Sequence, residues 1–429
     1  MTQLRKHAAI PVLIAALALI VAMAFHFYRM KEDGTFALKD LSGDRNVLEG
    51  VVIRGQLGDG YHRTSWRLDE GRLETTTDLF DQPIWPDTYR YIPGGNKRIG
   101  DMEFRVGGNR EFDIMSYRRP PGEPFFYMPV GTAYVTPPIQ YGQSGNGNAV
   151  TYANPLEYGI ASIGDKVYFT VPVTYDSIGT SGIYELNFFD WFNILTVHKD
   201  DYPARKLVDI PLEANASEQS PGIDVLGLEA AGDKLILISV ENHQLKLRSY
   251  DRASGKLLGE ATVPDFNLPN RPGTPSGAEA YVESYEAFVD EKQQALNLSF
   301  RGSSVKQRYL LSFDLSKGVE LTGTLKASFS DGEEDAYQGI YAASYRNGKF
   351  YIIRTFRDSR KVADDPSYDV FLPRRCYLYV FERSELVYKG EIATDMNDDS
   401  VEALNQLPQA NGTTYDQMDY RQFSNITIE

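Results

Sequence analysis

The 429 residues carry 44 Lys and Arg against 59 Asp and Glu, a formal charge of −15. Such a balance excludes a binder of nucleic-acid phosphates, which needs clustered basic residues, and a domain that adheres to an anionic membrane surface. A single cysteine, Cys376, rules out an intrachain disulfide and fits an exported bacterial protein better than a eukaryotic secreted one.

Residues 1–7 form a short basic arm (Arg5, Lys6, His7), expected in the cytoplasm. The run Ala8–Phe27 (AAIPVLIAALALIVAMAFHF) is apolar throughout. About twenty residues at ~1.5 Å each match a ~30 Å hydrocarbon core, so residues 8–28 read as one transmembrane helix. Phe25–Lys31 adds the aromatic-then-basic cluster suited to a membrane–water boundary. The other reading is a secretory signal cleaved after Ala24, since Ala22-Met23-Ala24 has the small-x-small pattern. A buried core helix fits poorly, because Ile10–Ala24 has no polar face. Flanking charges nearly balance, and long domains translocate regardless of charge. The reading therefore places a single-pass protein in a bacterial cell membrane with most of the chain extracytoplasmic. Residues 29–46 are polar and read as a stalk, followed by a domain over 47–429.

From Val47 onward, apolar runs of four to eight residues, rich in β-branched and aromatic side chains, alternate with Gly- and Pro-containing turns. Tyr (28) and Phe (22) are abundant. The segments Glu157–Val173, Val225–Val240, Ser284–Phe300 and Ile340–Phe356 each read as strand, tight turn, strand. Their turns are Gly164-Asp165-Lys166, Gly232-Asp233-Lys234, Asp290-Glu291-Lys292 and Asn347-Gly348-Lys349. Two looser copies centre on Gly71 and on Gly107-Gly108. Second hairpins follow at Leu247–Val263, Leu310–Leu325 and Leu378–Ile392. Ala278–Val289 also has helical spacing, but alignment with the other hairpins favours a strand from Ser284. Paired hairpins at a period of about 50–60 residues predict an all-β fold: a β-propeller of about six four-stranded antiparallel blades, with five to seven compatible. Tyr420–Glu429 alternates and could close the ring beside Val47–Arg54. The competing architecture is a β-sandwich pair.

The turn Tyr250-Asp251-x-x-Ser254-Gly255-Lys256 resembles the outer turn of quinoprotein-type propeller blades. It lacks the Trp that follows in the strict repeat, so a quinone cofactor does not carry over. With the N-terminal run, the chain is similar to β-propeller-type extracytoplasmic proteins with a single N-terminal anchor. That resemblance implies fold and place and assigns no activity.

No histidine pair has metal spacing, and His-Glu-x-x-His, the phosphate-binding glycine loop and Gly-x-Ser-x-Gly are absent. Gly142–Gly147 precedes no helix and reads as a loop. Asp395, Asn397 and Asp399 place oxygens at alternate positions, as calcium loops begin; Ser400 and Gln406 stand where such a loop needs Gly and a bidentate Glu. They are the candidate Ca²⁺ ligands; otherwise no cofactor is expected and no catalytic residue is assigned. Asp331–Asp335 reads as an acidic turn. Asp190-Trp191-Phe192 and Pro83–Pro86 could present rings to a sugar or peptide, or pack between blades. Arg118-Arg119 and Arg374-Arg375 are expected in salt bridges, and Cys376 as a buried thiol.

Two functions fit. One is a membrane-anchored binding, scaffold or sensor module that presents a propeller loop face to a protein partner or cell-envelope ligand. The other is a carbohydrate hydrolase or lyase with a carboxylate pair in the channel. The missing catalytic motifs favour the first.

Overall fold

The computed structural model describes residues 15–23, 35–82, 84, 94–119, 127–141, 150–193, 196, 198–212, 222–274, 276–302, 306–329, 339–357, 374–396 and 421–429. Residues 15–23 are helical and exposed. No helix among the described residues is long and apolar enough to cross a membrane, and the rest of the apolar run lies outside them.

The remainder is built from strands. Strand β1 (Phe36–Gly43) comes first but joins the last sheet. Blade 1 contains β2 (Val52–Gly58), β3 (His62–Asp69) and β4 (Arg72–Leu79). Blade 2 contains β5 (Lys97–Ile99), β6 (Met102–Gly108), β7 (Phe112–Arg118) and β8 (Met128–Val135). After the two-residue β9 (Ile139–Gln140), blade 3 forms from β10 (Ile160–Ile163), β11 (Lys166–Phe169) and β12 (Ile178–Glu185). The chain then returns to blade 2 as β13 (Phe189–Asp190) and completes blade 3 with β14 (Arg205–Leu212). Blade 4 is β15 (Ile223–Ala231), β16 (Lys234–Glu241), β17 (Gln244–Asp251) and β18 (Leu257–Val263). Blade 5 is β19 (Tyr281–Asp290), β20 (Ala295–Gly302), β21 (Gln307–Asp314) and β22 (Glu320–Ser328). Blade 6 is β23 (Ile340–Arg346), β24 (Lys349–Arg357), β25 (Arg374–Glu382) and β26 (Glu385–Thr394). The C-terminal β27 (Gln422–Ile428) pairs with β2.

Among the described residues, six antiparallel sheets of four or five strands result. Their first strands contact one another in turn: β5 with β10, β10 with β15, β15 with β19, β19 with β23 and β23 with β27. First strands that meet in sequence around an axis, with later strands farther out, define a six-bladed propeller. The first and last described strands lock it. Strand β27 supplies the inner strand of blade 1, with Ile53 opposite Ile428, and Val52 and Glu429 exchange backbone bonds of 2.9 and 2.7 Å. Strand β1 adds a fifth, outermost strand to blade 6, with Leu38 opposite Ile392.

Local chemistry explains the hairpins. The turn between β23 and β24 needs two left-handed residues, and Asn347 (φ 50°) and Gly348 (φ 76°) take them. In the turn between β17 and β18, the Asp251 carboxylate accepts from the Ser254 N–H (2.8 Å), its hydroxyl (2.6 Å) and the Ala253 N–H (3.2 Å). A Cβ on Gly255 would stand 2.2 Å from the Leu207 carbonyl of blade 3, so the turn's glycine also seats it on the neighbouring blade.

Two expectations need correction. The stalk over 29–46 contains a strand: Phe36–Gly43 pairs along β26, so the propeller begins before Val47. Only Leu38 of β1 is buried, because an edge strand is held mainly by backbone bonds and leaves little apolar signal. The looser hairpins also fall in another phase. The turn at Gly71 joins the outer strands β3 and β4, and that at Gly107-Gly108 joins β6 and β7. Tight turns demand the same residues at every hairpin, so the pattern does not show which hairpin of a blade it marks. The strand expected from Ser284 is observed as β19, which starts three residues earlier, at Tyr281.

Among the described residues, four apolar clusters fill the spaces between blades: across blades 2, 3 and 4, between 4 and 5, between 5 and 6, and between 6 and 1. Strand β16 (KLILISVE) has six consecutive buried residues because both its faces are covered. Cys376 lies in β25, fully buried, and burial pushes its thiol pKa up.

Candidate functional site

Charged side chains from the inner strands meet near the axis. Lys97 of β5 reaches past blade 3 to Glu229 of β15 at 3.5 Å and donates to the Ile160 carbonyl at 2.8 Å. The Tyr285 hydroxyl of β19 donates to Glu229 at 3.0 Å. Its path crosses Gly227, where a Cβ would stand 2.3 Å from the hydroxyl oxygen. The Tyr158 ring packs edge-on against Tyr285 at 5.1 Å. Asn154, buried, donates to the Leu226 and Glu283 carbonyls at 2.8 and 3.0 Å and accepts from the Ser284 hydroxyl at 3.3 Å. This layer ties blades 2 to 5 together across the axis.

A second cluster lies at the end where the inner strands begin. Asp224 stands second in β15, and Glu283 lies near the start of β19. Arg271, from the segment linking blades 4 and 5, lies between them: Nη2 is 2.9 Å from Asp224 and 3.1 Å from Glu283, and Nε is 3.0 Å from Asp224. The guanidinium also lies 5.2 Å from the Tyr175 ring centre, and the Tyr175 N–H donates to Asp224 at 3.3 Å. Burial pushes the Asp224 pKa up to about 6 despite the arginine beside it. Sequence reasoning missed this cluster. Its one signal was an acid inside the apolar run IDVLGL.

Other acids have their own donors. Asp59 accepts from the Tyr61 and His62 N–H groups (both 2.7 Å), His62 Nδ1 (3.0 Å) and buried Arg421 (2.9 Å). Burial pushes Asp59 up, but these bonds outweigh it and hold the carboxyl below its usual range. Glu157 is buried and its pKa is raised by that burial, with the Val106 N–H 3.5 Å away.

Clefts lie on the faces of blades 4 and 1. One, of about 340 Å³, separates β14 from blade 4 and is lined by Asp209, Ile223, Glu241, Arg248 and Tyr250. Its arginine is already held by Glu241 and by Glu260, at 2.5 Å each. The other, of about 370 Å³, lies on the polar face of blade 1 beside Arg54, Gln56, Arg67 and Glu74.

Of the candidate calcium ligands, Asp395 uses both carboxylate oxygens on Thr35, accepting from its N–H (2.9 Å) and hydroxyl (2.7 Å). Asn397 and Asp399 lie outside the described residues, as do Asp331–Asp335 and Gly142–Gly147. No group of three or more metal-ligating side chains occurs among the described residues. Phe192 is 82% exposed. Arg119 pairs with Glu103 at 3.2 Å, Arg118 with Asp101 at 3.8 Å, and Arg375 with Glu391 at 3.8 Å.

No protein-family model matches the chain, and no curated protein does. Among solved structures, it is similar to the SapL1 lectin in complex with alpha methyl fucoside (11% identity, 83% of this chain and 96% of that one, TM-score 0.29). It is also similar to a prolyl endopeptidase (10% identity, 79% and 42%, TM-score 0.25), of which it spans less than half the length. A third is the β-propeller domain of the Trilobed protease from Pyrococcus furiosus (13% identity, 66% and 82%, TM-score 0.21). The likeness is loose, and the propeller assignment rests on sheet topology.

Proposed function

We propose that the chain is a membrane-anchored binding or scaffold module whose propeller works outside the cytoplasm of a bacterial cell. The observation that favours binding over carboxylate-pair catalysis is the pairing of the axial acids. Glu229 is held by Lys97 and Tyr285, Asp224 and Glu283 share Arg271, and Asp290 is held by Arg346. Cleavage of a glycosidic bond needs one protonated and one free carboxyl on opposite sides of open space. Here Asp224 and Glu283 are bridged by a guanidinium. Recognition then falls to the surfaces between blades and to the loop ends. The anchor reading is supported by the apolar run, of which residues 15–23 are helical.

A second reading, a carbohydrate hydrolase or lyase, draws on Asp224. A carboxyl whose pKa is pushed up to about 6 has one attribute of a general acid. Co-sedimentation of the full chain in detergent with isolated cell-envelope material separates the two. Saturable retention with no soluble product supports binding; product release abolished by Asp224→Asn and by Glu283→Gln supports the enzyme. Protease treatment of right-side-out membrane vesicles tests place: removal of the propeller is expected, and its full protection would refute the topology.

A further inference from the structure

The face that blade 4 turns to blade 3 grades from apolar to ionic. Pairing of β16 with β17 sets Leu235 opposite Tyr250, Leu237 opposite Arg248, Ser239 opposite Lys246 and Glu241 opposite Gln244, all on that face. Strand β14 of blade 3 covers the apolar end, where Val208, Ile210 and Leu212 join Leu235, Leu237 and Tyr250 in one core. The cleft of about 340 Å³ opens beside this contact and is lined from both blades: Asp209 and Ile210 on β14, and Ile223, Leu237, Arg248 and Tyr250 on blade 4. Buried Ile210, Ile223 and Leu237 give it an apolar floor. Its polar groups have bonding capacity to spare. Arg248 uses three of its five N–H groups, two on Glu241 at 2.5 and 2.9 Å and one on Glu260 at 2.5 Å. Among the described residues, no hydrogen bond reaches the hydroxyl of buried Tyr250 or the side-chain amide of Asn242, and both residues line the cleft. Burial pushes the Tyr250 pKa up, so this hydroxyl keeps its proton and can both donate and accept.

We propose that this cleft between blades 3 and 4 holds one uncharged sugar ring, the end residue of a glycan; the proposal rests on the binding reading above and names its site. Charge balance argues against an ionic ligand. Glu241 and Glu260 are matched by Arg248 and Lys246, and Asp209 by Lys206. A charged group entering the cleft would find no counter-charge left for it, and a buried charge without one is costly. A sugar hydroxyl both donates and accepts, so neighbouring hydroxyls suit the two remaining N–H groups of Arg248, the Tyr250 phenol and the Asn242 amide. The C–H face of the ring suits the apolar floor, and a few convergent polar groups over such a floor are what orient a small ligand. The two acids also fix the Arg248 fork before any ligand arrives, so little side-chain freedom is lost on binding. A buried hydroxyl without a partner disfavours folding, and a ligand that supplies the partner recovers that loss. Ligand pockets run from roughly 300 to 1,000 Å³, so this cleft lies at the small end and takes a ring rather than a long strand.

The test is calorimetric titration of the full chain in detergent with a panel of uncharged methyl hexosides, together with an amino sugar and a uronic acid of the same size. At least one uncharged hexoside should bind. Tyr250→Phe and Asn242→Gly should each weaken it about fivefold, the loss of one hydrogen bond. Both variants should keep the native unfolding midpoint, because Phe retains the ring that packs in the core and Gly takes the left-handed backbone of Asn242 (φ 51°). A purely structural role for Tyr250 would leave affinity unmoved. Thr76→Ala, on blade 1, should leave it unchanged. Binding of only the amino sugar or the uronic acid, binding of none of the panel, or affinity unchanged in both cleft variants would each overturn the proposal. Envelope co-sedimentation that persists while the hexosides fail would remove the cleft site and leave the binding reading intact; its absence in the native chain would remove the binding reading itself.

Discussion

Gly55 stands opposite Trp66, and a Cβ there would lie 2.2 Å from the indole Cζ2. Trp66 is fully buried between blades 1 and 6, so the ring cannot move aside without opening that core. Gly55→Ala should therefore cost about 1–3 kcal/mol in denaturant unfolding, as overpacking does. Asp224 gives a pH signature. Its folded pKa of about 6 lies above the ordinary 3.8, so the folded state binds more protons between those values. Its contribution opposes folding increasingly as pH rises from about 4 to 6 and stays constant above, by an amount on the order of 3 kcal/mol. Stability of Asp224→Asn relative to the native chain should rise over that window; parallel pH curves would contradict the assignment. Residue chemistry was legible where it is local: Asp251, Ser254 and Gly255 form the turn their order predicts. It was not legible where partners are far apart in the chain, since Asp395 is held by Thr35, and Asp224 by Arg271.

At the scale of elements, β27 carries more of the closure than β1. Phe423 and Ile426 of β27 enter the core between blades 6 and 1, whereas β1 buries only Leu38. Phe423→Ala should cost about 3–5 kcal/mol in equilibrium unfolding, a large core truncation. Leu38→Ala, at a covered edge, should cost less; equal losses would show that both ends close the ring equally. Alternation in YRQFSNITIE revealed β27 because an inner strand has a buried side. The pattern FALKDLSG concealed β1 because an outer strand has almost none. Hairpins were found by their turns, and their phase was lost because inner and outer turns share one chemistry.

At the scale of the whole molecule, the first and last described strands, β1 and β27, join blades 6 and 1, and apolar cores fill the junctions from blade 2 round to blade 1. The period of paired hairpins carried the blade number. Which face of each strand packs on a neighbour was not legible, because RGQLGDG and HRTSWRLD alternate as any half-exposed strands do. The central claim is that this ring holds a ligand without transforming it. The most direct measurement incubates the full chain in detergent with a glycan library, recording bound and released sugars by mass spectrometry. The account predicts intact glycans recovered from the bound fraction and no new species in solution. Shortened or unsaturated sugars that accumulate with time, and vanish in Asp224→Asn, would contradict it.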